Sequence, residues 1–381
     1  MPDHLLILGA SARAAAFSAL RAGLRPWCVD LFADADLQAR CPARRLAARD
    51  YPQGFVQAAA SAPVGPWIYT GGLENRPALV TDLARGRTLW GNDAPALARV
   101  RSPFALQRLL RAAKVPCPAA RQPAAGLPGC WLLKPLSGAG GTGIRVWTGR
   151  ATPPPRKQQV YLQEYIEGEA WAAVYLGDGE QARLLGVTRQ LVGEAWLRAR
   201  PFHYCGSVGP LAPSPQLQHA LEHLGSGVAG GSRLRGIFGI DCVVRDYVPW
   251  PVEVNPRYTA SVEVLEHTLG IPALAWHRQV FESTVPAPPP AERATGVIVG
   301  KAVLFARAPL TFPADGPWLR VLHQPAAIHD LPAFADIPHV GQQIPRGRPV
   351  LTLFARDATE AGCLDRLKQI AADLDRWLFG P

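Results

Sequence analysis

A lysine ends a short apolar run at Trp131-Leu132-Leu133-Lys134-Pro135, and four glycines follow within six residues, at positions 138, 140, 141 and 143. An apolar strand can be buried cheaply, but a lysine carried in with it is costly unless an anion meets it. The glycines let the backbone amides behind that lysine come close to a phosphate chain. This is not a Walker A loop, because no Gly-Lys-Ser/Thr follows. Taken alone, the stretch also fits a flexible hairpin between two strands.

A second pair of segments narrows the choice. Gly239-Ile240-Asp241-Cys242-Val243-Val244 and Pro251-Val252-Glu253-Val254-Asn255-Pro256-Arg257 are strand-like and joined by a short turn at Tyr247 to Trp250. Strand alternation puts Glu253 and Asn255 on one face, and Asp241 on the neighbouring strand can point the same way. Three hard oxygen donors converging in this way suit magnesium, or manganese, bound to nucleotide phosphates. The other reading is the polar, solvent-facing side of an edge hairpin.

The chain opens as a βαβ unit. Leu5-Leu6-Ile7-Leu8 is a buried strand, Gly9-Ala10-Ser11 a turn, Arg13 to Ala22 a helix stopped by Gly23, and a second strand runs to Asp30. An acidic residue at that place can hold a ribose hydroxyl in dinucleotide folds, but Gly9-Ala10-Ser11-Ala12-Arg13 falls far short of GxGxxG. A further strand is expected at Trp67 to Thr70 before Gly71-Gly72. Helices are expected from Ser102 to Ala113 and over 358–378. Strands are expected at 131–134, 144–147, 160–166 and 237–244, with short strands over 296–354. Ala151-Thr152-Pro153-Pro154-Pro155 reads as an exposed loop, and Pro286-Ala287-Pro288-Pro289-Pro290 as a stiff linker.

Composition excludes several classes. No apolar run reaches the roughly 18 to 20 residues that cross a bilayer, and the opening lacks a signal-peptide leader, so a cytoplasmic protein without membrane partners is expected. The seven cysteines form no CxxC pair, which points to reduced thiols and away from a zinc knuckle. The formal charge of +10 comes from basic residues spread along the chain without a block or a nucleic-acid-reading motif. It suits anionic small ligands rather than nucleic acid.

Together these segments resemble the ATP-grasp superfamily. Gln163-Glu164-Tyr165-Ile166-Glu167-Gly168-Glu169 looks like the hinge that contacts adenine in these enzymes. The resemblance implies an α/β chain of three parts: a Rossmann-like domain over 1–99, a two-subdomain ATP-grasp domain over 100–285, and a small β-rich domain with a terminal helix over 286–381. It implies that Lys134 holds the α- and β-phosphates, and that the loop from Ser137 through Gly138, Gly140 and Gly141 to Thr142 folds over the triphosphate. Gln163 would reach the adenine edge, with Glu164 beside it and Ile166 offering backbone groups. Asp241, Glu253 and Asn255 would bind magnesium, and Arg257 would steady the transferred phosphoryl group or acyl phosphate.

Two positions depart from the pattern. Ser102-Pro103 stands where many relatives have an Asp-Lys pair, leaving Arg101 or Arg108 as stand-ins for the second phosphate lysine. Ala170 stands where the ribose-binding glutamate is usual, and Glu169, one place early, is the remaining candidate. The nearest branch is the carboxylate–amine ligases, including those that attach amino acids in making one-carbon carrier cofactors. Such a ligase uses ATP and magnesium to turn a carboxylate into an acyl phosphate, which an amine then converts to an amide; a homodimer is compatible. Substrate contacts are expected from Arg198 to Ser207 and from Tyr258, Thr259 and Ser261. The rivals are a bicarbonate-dependent carboxylase built on the same site, and a nucleotide-binding protein with little turnover.

Overall fold

The computed structural model describes residues 3–124, 126–149, 159–282 and 296–380. The two proline-rich segments, Ala151 to Pro155 and Pro286 to Pro290, and with them the boundary expected at 285/286, lie outside the described residues.

The opening unit is a four-stranded parallel sheet in the order Ala43–Arg45, Arg25–Asp30, His4–Leu8, Trp67–Tyr69. The unbroken apolar run Leu5 to Leu8 follows from cover on both faces. Leu5 and Ile7 pack with Ala12, Ala16 and Trp276, while Leu6 and Leu8 pack with Phe55, Trp67 and Leu97. Asp30 does not face a ligand. Its buried carboxylate accepts from the backbone amides of Ala12 at 2.7 Å, Phe32 at 2.9 Å and Ala33 at 2.6 Å. It therefore fastens the turn ahead of the helix Arg13–Arg21, and the ribose role open to a residue at this place is filled by backbone.

Three further sheets are present among the described residues, one of them only the short pair Leu310–Thr311 and Gln343–Ile344. A small antiparallel one runs Ala120–Arg121, Val160–Glu164, Trp131–Pro135, Arg145–Val146. The large one has eight strands: Val248–Asn255, Arg235–Arg245, Glu169–Asp178, Ala182–Val192, Tyr204–Gly209, Ile298–Phe305, Pro349–Asp357, Phe334–Ala335. The hairpin expected around Tyr247 is present, with Asp246 and Tyr247 both at positive φ (52° and 62°). The expected β-rich C-terminal part is present too, but it is not closed on itself. Ile298–Phe305 pairs with Tyr204–Gly209, so the C-terminal strands extend the central sheet.

Helices cover the large sheet. Glu360–Phe379 starts on a Thr359 cap, whose hydroxyl accepts from the Gly362 amide at 3.1 Å, and buries Cys363, Leu367, Ala371 and Leu374. Pro103–Ala112 begins at the Ser102 cap and packs against Pro215–Ser232. That longer helix buries Leu217, Leu221, Leu224 and Val228 at helical spacing, each worth about 1.5–3 kcal/mol. No helix among the described residues is long and apolar enough to cross a membrane.

The three parts meet on one charge. Arg13, at the start of the first helix, is fully buried and donates to Glu263 of the helix Ala260–Leu269 and to Asp336 near the C-terminal strands. Lys301 donates to the same Glu263 at 2.7 Å. Asp36 lies 3.9 Å from Arg13, and Arg21 pairs with Glu266 at 2.5 Å. Burial on its own would raise the Glu263 and Asp336 carboxyls. Arg13 and Lys301 override it, holding Glu263 well below the usual carboxylate range and Asp336 below it. Burial wins at Asp36, which is pushed up to about 6 against the pull of Arg13.

Replacing Arg13 by Met leaves buried carboxylates unpaired and is expected to lower unfolding free energy by about 3–5 kcal/mol, read from urea midpoints at pH 7. The pH profile of the unaltered chain follows from the same groups. Glu263 and Asp336 release protons more readily folded than unfolded. Their contribution is whole above unfolded values near pH 4 and is lost as pH falls through the lower folded values. Asp36 acts with the opposite sign, taking a proton near pH 6 when folded. His267 and His277, each pushed down to about 4 by burial, take protons more readily unfolded and oppose Asp36 over the same range. The urea midpoint is therefore expected to change little from pH 7 to about 5 and to fall below about 4.

Candidate active site

The small sheet faces the first strands of the large one across a cleft of about 630 Å³. Strand pairing brings the sequence candidates to it. Asp241 sits directly opposite Glu253, and Asn255 opposite Gly239, on antiparallel neighbours. Lys134 reaches the same place from the small sheet. The cleft wall includes Lys134, Gly140, Gly141, Gln163, Glu164, Ile166, Asp241, Glu253, Asn255 and Arg257.

The electrostatics are those of a site short of positive charge. Burial, and then the neighbouring Glu253 carboxylate, push Asp241 up to about 7, although Asn255 and Gln190 donate to it at 3.0 and 2.9 Å. Glu253 behaves oppositely. Burial alone would raise it, but Arg101 and Lys134 hold it below its ordinary value. Lys134 is lowered by burial, opposed by Glu253 and Asp241, and its Nζ donates to Gln163 at 3.0 Å and to the Val252 carbonyl at 3.4 Å. Two adjacent carboxylates, one of them raised by the other, form a donor set that a divalent cation would relieve. With Asn255 they are hard oxygen donors of the kind magnesium takes. Among the described residues no cluster of three or more His, Cys, Asp or Glu forms a metal site.

Arg101 lies in this site and Arg108 does not. Arg101 donates to Glu253 at 2.7 Å, to the Val254 carbonyl at 3.0 Å and to Asn75 Oδ1 at 2.9 and 3.1 Å, whereas Arg108 is exposed on the outer face of its helix. The glycine loop is held from two sides. The Gly138 carbonyl accepts from Asn75 Nδ2 at 3.2 Å, and the Gly140 carbonyl accepts from the Tyr204 amide at 3.3 Å. A Cβ on Gly141 would stand 1.8 Å from the Phe202 carbonyl oxygen, which is why that position has to be glycine. Gly138 and Thr142 face a small adjoining cavity of about 60 Å³ on the Arg101 side of Lys134, while Ser137 lines neither space.

Several expectations need restating. Gln163 is tied by its side chain to Lys134 and, at 3.2 Å, to the Val252 carbonyl, which sets it beside the lysine rather than at the hinge. Glu164 accepts from the Ala119 amide at 3.0 Å and so anchors the hinge. Among the described residues the Ile166 backbone amide and carbonyl take no partner, which leaves both free at the cleft. Glu169 does not line the cleft. It is exposed and accepts from the Trp171 indole at 3.1 Å, because strand alternation turns Ala170 inward in its place. At the far end, Pro201, Phe202, Tyr204, Thr259 and Ser261 line the wall. Arg198 pairs with Asp375 at 2.8 Å, and the Tyr258 hydroxyl donates to Glu266 at 2.9 Å, so neither faces the cleft.

Two residues escaped the sequence reading. Glu74 is buried and accepts from Arg257 Nε at 2.9 Å, and its neighbour Asn75 holds both Arg101 and the glycine loop. They come from the opening unit, on the loop after the strand Trp67–Tyr69. The signal available was position: loops at the carboxyl ends of parallel strands are where open α/β sheets place ligand groups.

Residues 102–261 match the family model of an ATP-grasp domain. One relative, an uncharacterised protein of Methanocaldococcus jannaschii, is 25% identical over 138 residues, and the match spans 35% of this chain and about a third (32%) of the relative. The whole fold is similar to that of an L-amino acid ligase from Bacillus licheniformis, with a TM-score of 0.71, 14% identity and 97% of each chain covered. It is also similar to the biotin carboxylase domain of a 2-oxoglutarate carboxylase from Hydrogenobacter thermophilus, solved as a dimer with magnesium ADP and bicarbonate. There the TM-score is 0.70, with 14% identity over 95% of this chain and 88% of that one. Rhizobium etli pyruvate carboxylase matches at a TM-score of 0.70 and 16% identity over 96% of this chain, which spans 37% of that protein's length.

Replacing Asn75 by Ala removes the side-chain hydrogen bonds to Gly138 and Arg101, together worth about 1–2 kcal/mol. Amide hydrogen exchange over residues 137–143 is expected to quicken by about tenfold, with exchange in the strand His4–Leu8 unchanged.

Proposed function

We propose that this chain is an ATP-dependent ligase that activates a carboxylate as an acyl phosphate and joins it to an amine, releasing ADP and phosphate. The observation that carries the reading is the convergence of Lys134, Arg101, the glycine loop, Asp241, Glu253, Asn255 and Arg257 on one cleft and its adjoining cavity. Nothing in that set is a side-chain nucleophile, and phosphoryl transfer needs none: positioning and charge stabilisation supply most of the rate.

In this reading ATP lies between the sheets, with adenine at the Ile166 backbone and the phosphates over Lys134 and the glycine loop. Asp241, Glu253 and Asn255 would hold magnesium, or manganese, which when bound neutralises phosphate charge. Arg101 supplies the second cation that the missing lysine would have given. Arg257 faces the acceptor end, where it orients the carboxylate and steadies the acyl phosphate until the amine displaces phosphate. The placement of Arg101 argues against the low-turnover alternative, which rested on an absent phosphate-binding cation. A carboxylase acting on bicarbonate is the second reading, favoured by the likeness to the Hydrogenobacter domain; that domain is a dimer, and a homodimer is part of the proposal.

The test is ADP release from ATP and magnesium with pooled carboxylates and amines, with and without bicarbonate. Release is expected only when both a carboxylate and an amine are present. A Glu253→Ala/Asn255→Ala double variant should lower it by at least about a hundredfold, the scale of a lost transition-state electrostatic contact. Release that needs bicarbonate instead of an organic acid would move the assignment to the carboxylase. Tight ATP binding with no release under any mixture would remove both.

A further inference from the structure

Arg257 and Glu74 form an ion pair at the acceptor end of the cleft, and it is incomplete on both sides. Glu74 Oε1 accepts from Arg257 Nε at 2.9 Å, but the second carboxylate oxygen, Oε2, is buried without any hydrogen-bond partner among the described residues. An unmet oxygen on a buried carboxylate is costly until a ligand or a water meets it. The Thr259 hydroxyl, two residues past Arg257 and also on the cleft wall, is buried and unpartnered too. Arg257 Nη1 donates to the Tyr258 carbonyl at 3.1 Å, while Nη2 donates to Asn255 Oδ1 at 3.2 Å and lies 2.9 Å from the same Glu74 oxygen. A guanidinium carries two N–H groups on each terminal nitrogen, so one on Nη1 remains for a ligand.

We infer that the acid activated in this cleft is an α-amino acid, whose carboxylate is met by Arg257 and whose ammonium is met by Glu74 Oε2 with the Thr259 hydroxyl beside it. This deepens the ligase reading and rests on it. The match is one of charge. A guanidinium and a carboxylate stand in direct contact, and an α-amino acid presents the complementary pair of charges at a similar short spacing. A plain carboxylate would gain Arg257 but bring a negative group toward the unpartnered Glu74 oxygen. A plain amine would gain Glu74 and leave Arg257 without its anion. The surrounding wall is in keeping with a small polar ligand. Ser261 accepts from Thr188 at 3.0 Å and contacts Ser207 at 3.2 Å, and Ser207 contacts the Tyr204 hydroxyl at 2.9 Å, giving a floor of satisfied hydroxyls. Because Glu74 comes from the opening unit, that unit would read the ammonium while the ATP-grasp domain carries out the phosphoryl transfer.

The test is calorimetric titration of the twenty L-amino acids into the protein loaded with magnesium and a non-hydrolysable ATP analogue. At least one is expected to bind, and its N-acetyl and deamino derivatives to bind at least about tenfold more weakly, the scale of one charged hydrogen bond. Glu74→Gln, nearly isosteric, should erase that tenfold preference while affinity for the ATP analogue and the thermal midpoint stay near those of the unaltered protein. Thr259→Val should weaken the amino acid by a smaller factor and serves if Glu74→Gln lowers the midpoint. No binding by any of the twenty, or a deamino acid that binds as tightly as its parent, overturns the inference. ADP release keeps the two levels apart. Amino-acid binding that depends on Glu74, with no ADP released when amines are added, would keep this site and remove the ligase. ADP release driven equally well by acids without an amino group would keep the ligase and remove this site.

Discussion

A fully buried arginine sets the terms on which this molecule holds together. Arg13 can be dehydrated only if anions surround it, because an unpaired charge in the interior costs several kcal/mol. Those anions come from three distant stretches: Asp36 beside it, Glu263 in the middle of the chain and Asp336 near its end. The opening sheet, the helix Ala260–Leu269 and the C-terminal strands must therefore be assembled before any one of them is electrostatically satisfied. Lys301 balances the surplus at Glu263. The helix that carries Glu263 starts three residues after Arg257, so the network that unites the parts also fixes the end of the strand on which the site is built.

That coupling explains why the opening unit contributes to the site at all. Once Arg13 and its anions have fixed the first helix, the loop after Trp67–Tyr69 has one place to go, over the edge of the cleft. It delivers Glu74 to Arg257 and Asn75 to Arg101. A two-residue segment thus sets the direction of two guanidinium groups and, through the Gly138 carbonyl, the height of the glycine loop. Holding such groups on packed elements is what the proposed phosphoryl transfer would require, since small displacements of reacting groups cost large factors in rate.

Much of this was legible in the sequence where local chemistry dictates the outcome. The lysine strand, the glycine loop and the Asp241/Glu253/Asn255 hairpin were readable because alternation and charge leave few alternatives, and the family match spans them. The helix Pro215–Ser232 was not, since it holds Gly225, Gly227, Gly230 and Gly231, residues that ordinarily argue against a helix. Packing supplies the reason. A Cβ on Gly225 would lie 2.2 Å from the Tyr175 ring and one on Gly231 would lie 2.8 Å from Leu109, so the glycines let the helix approach the sheet and its neighbouring helix. Glu74 and Asn75 were hidden for a different reason. Their partners lie 183 and 26 residues away, and no local pattern encodes a pairing made only by tertiary assembly.

The setting of Arg101 follows from the same geometry. A lysine ammonium is a mobile point charge, and at a phosphate it works wherever its stem can reach. A guanidinium is planar, and it helps only if its plane is set in advance. Arg101 has that setting from four partners on three separate elements: Glu253, the Val254 carbonyl, Asn75 and, at 3.5 Å, the Gly138 carbonyl. The orientation of Arg101 is therefore tied to Asn75, which comes from the loop after the strand Trp67–Tyr69. Arg108, with no such partners and its side chain in solvent, has the right charge in the wrong place.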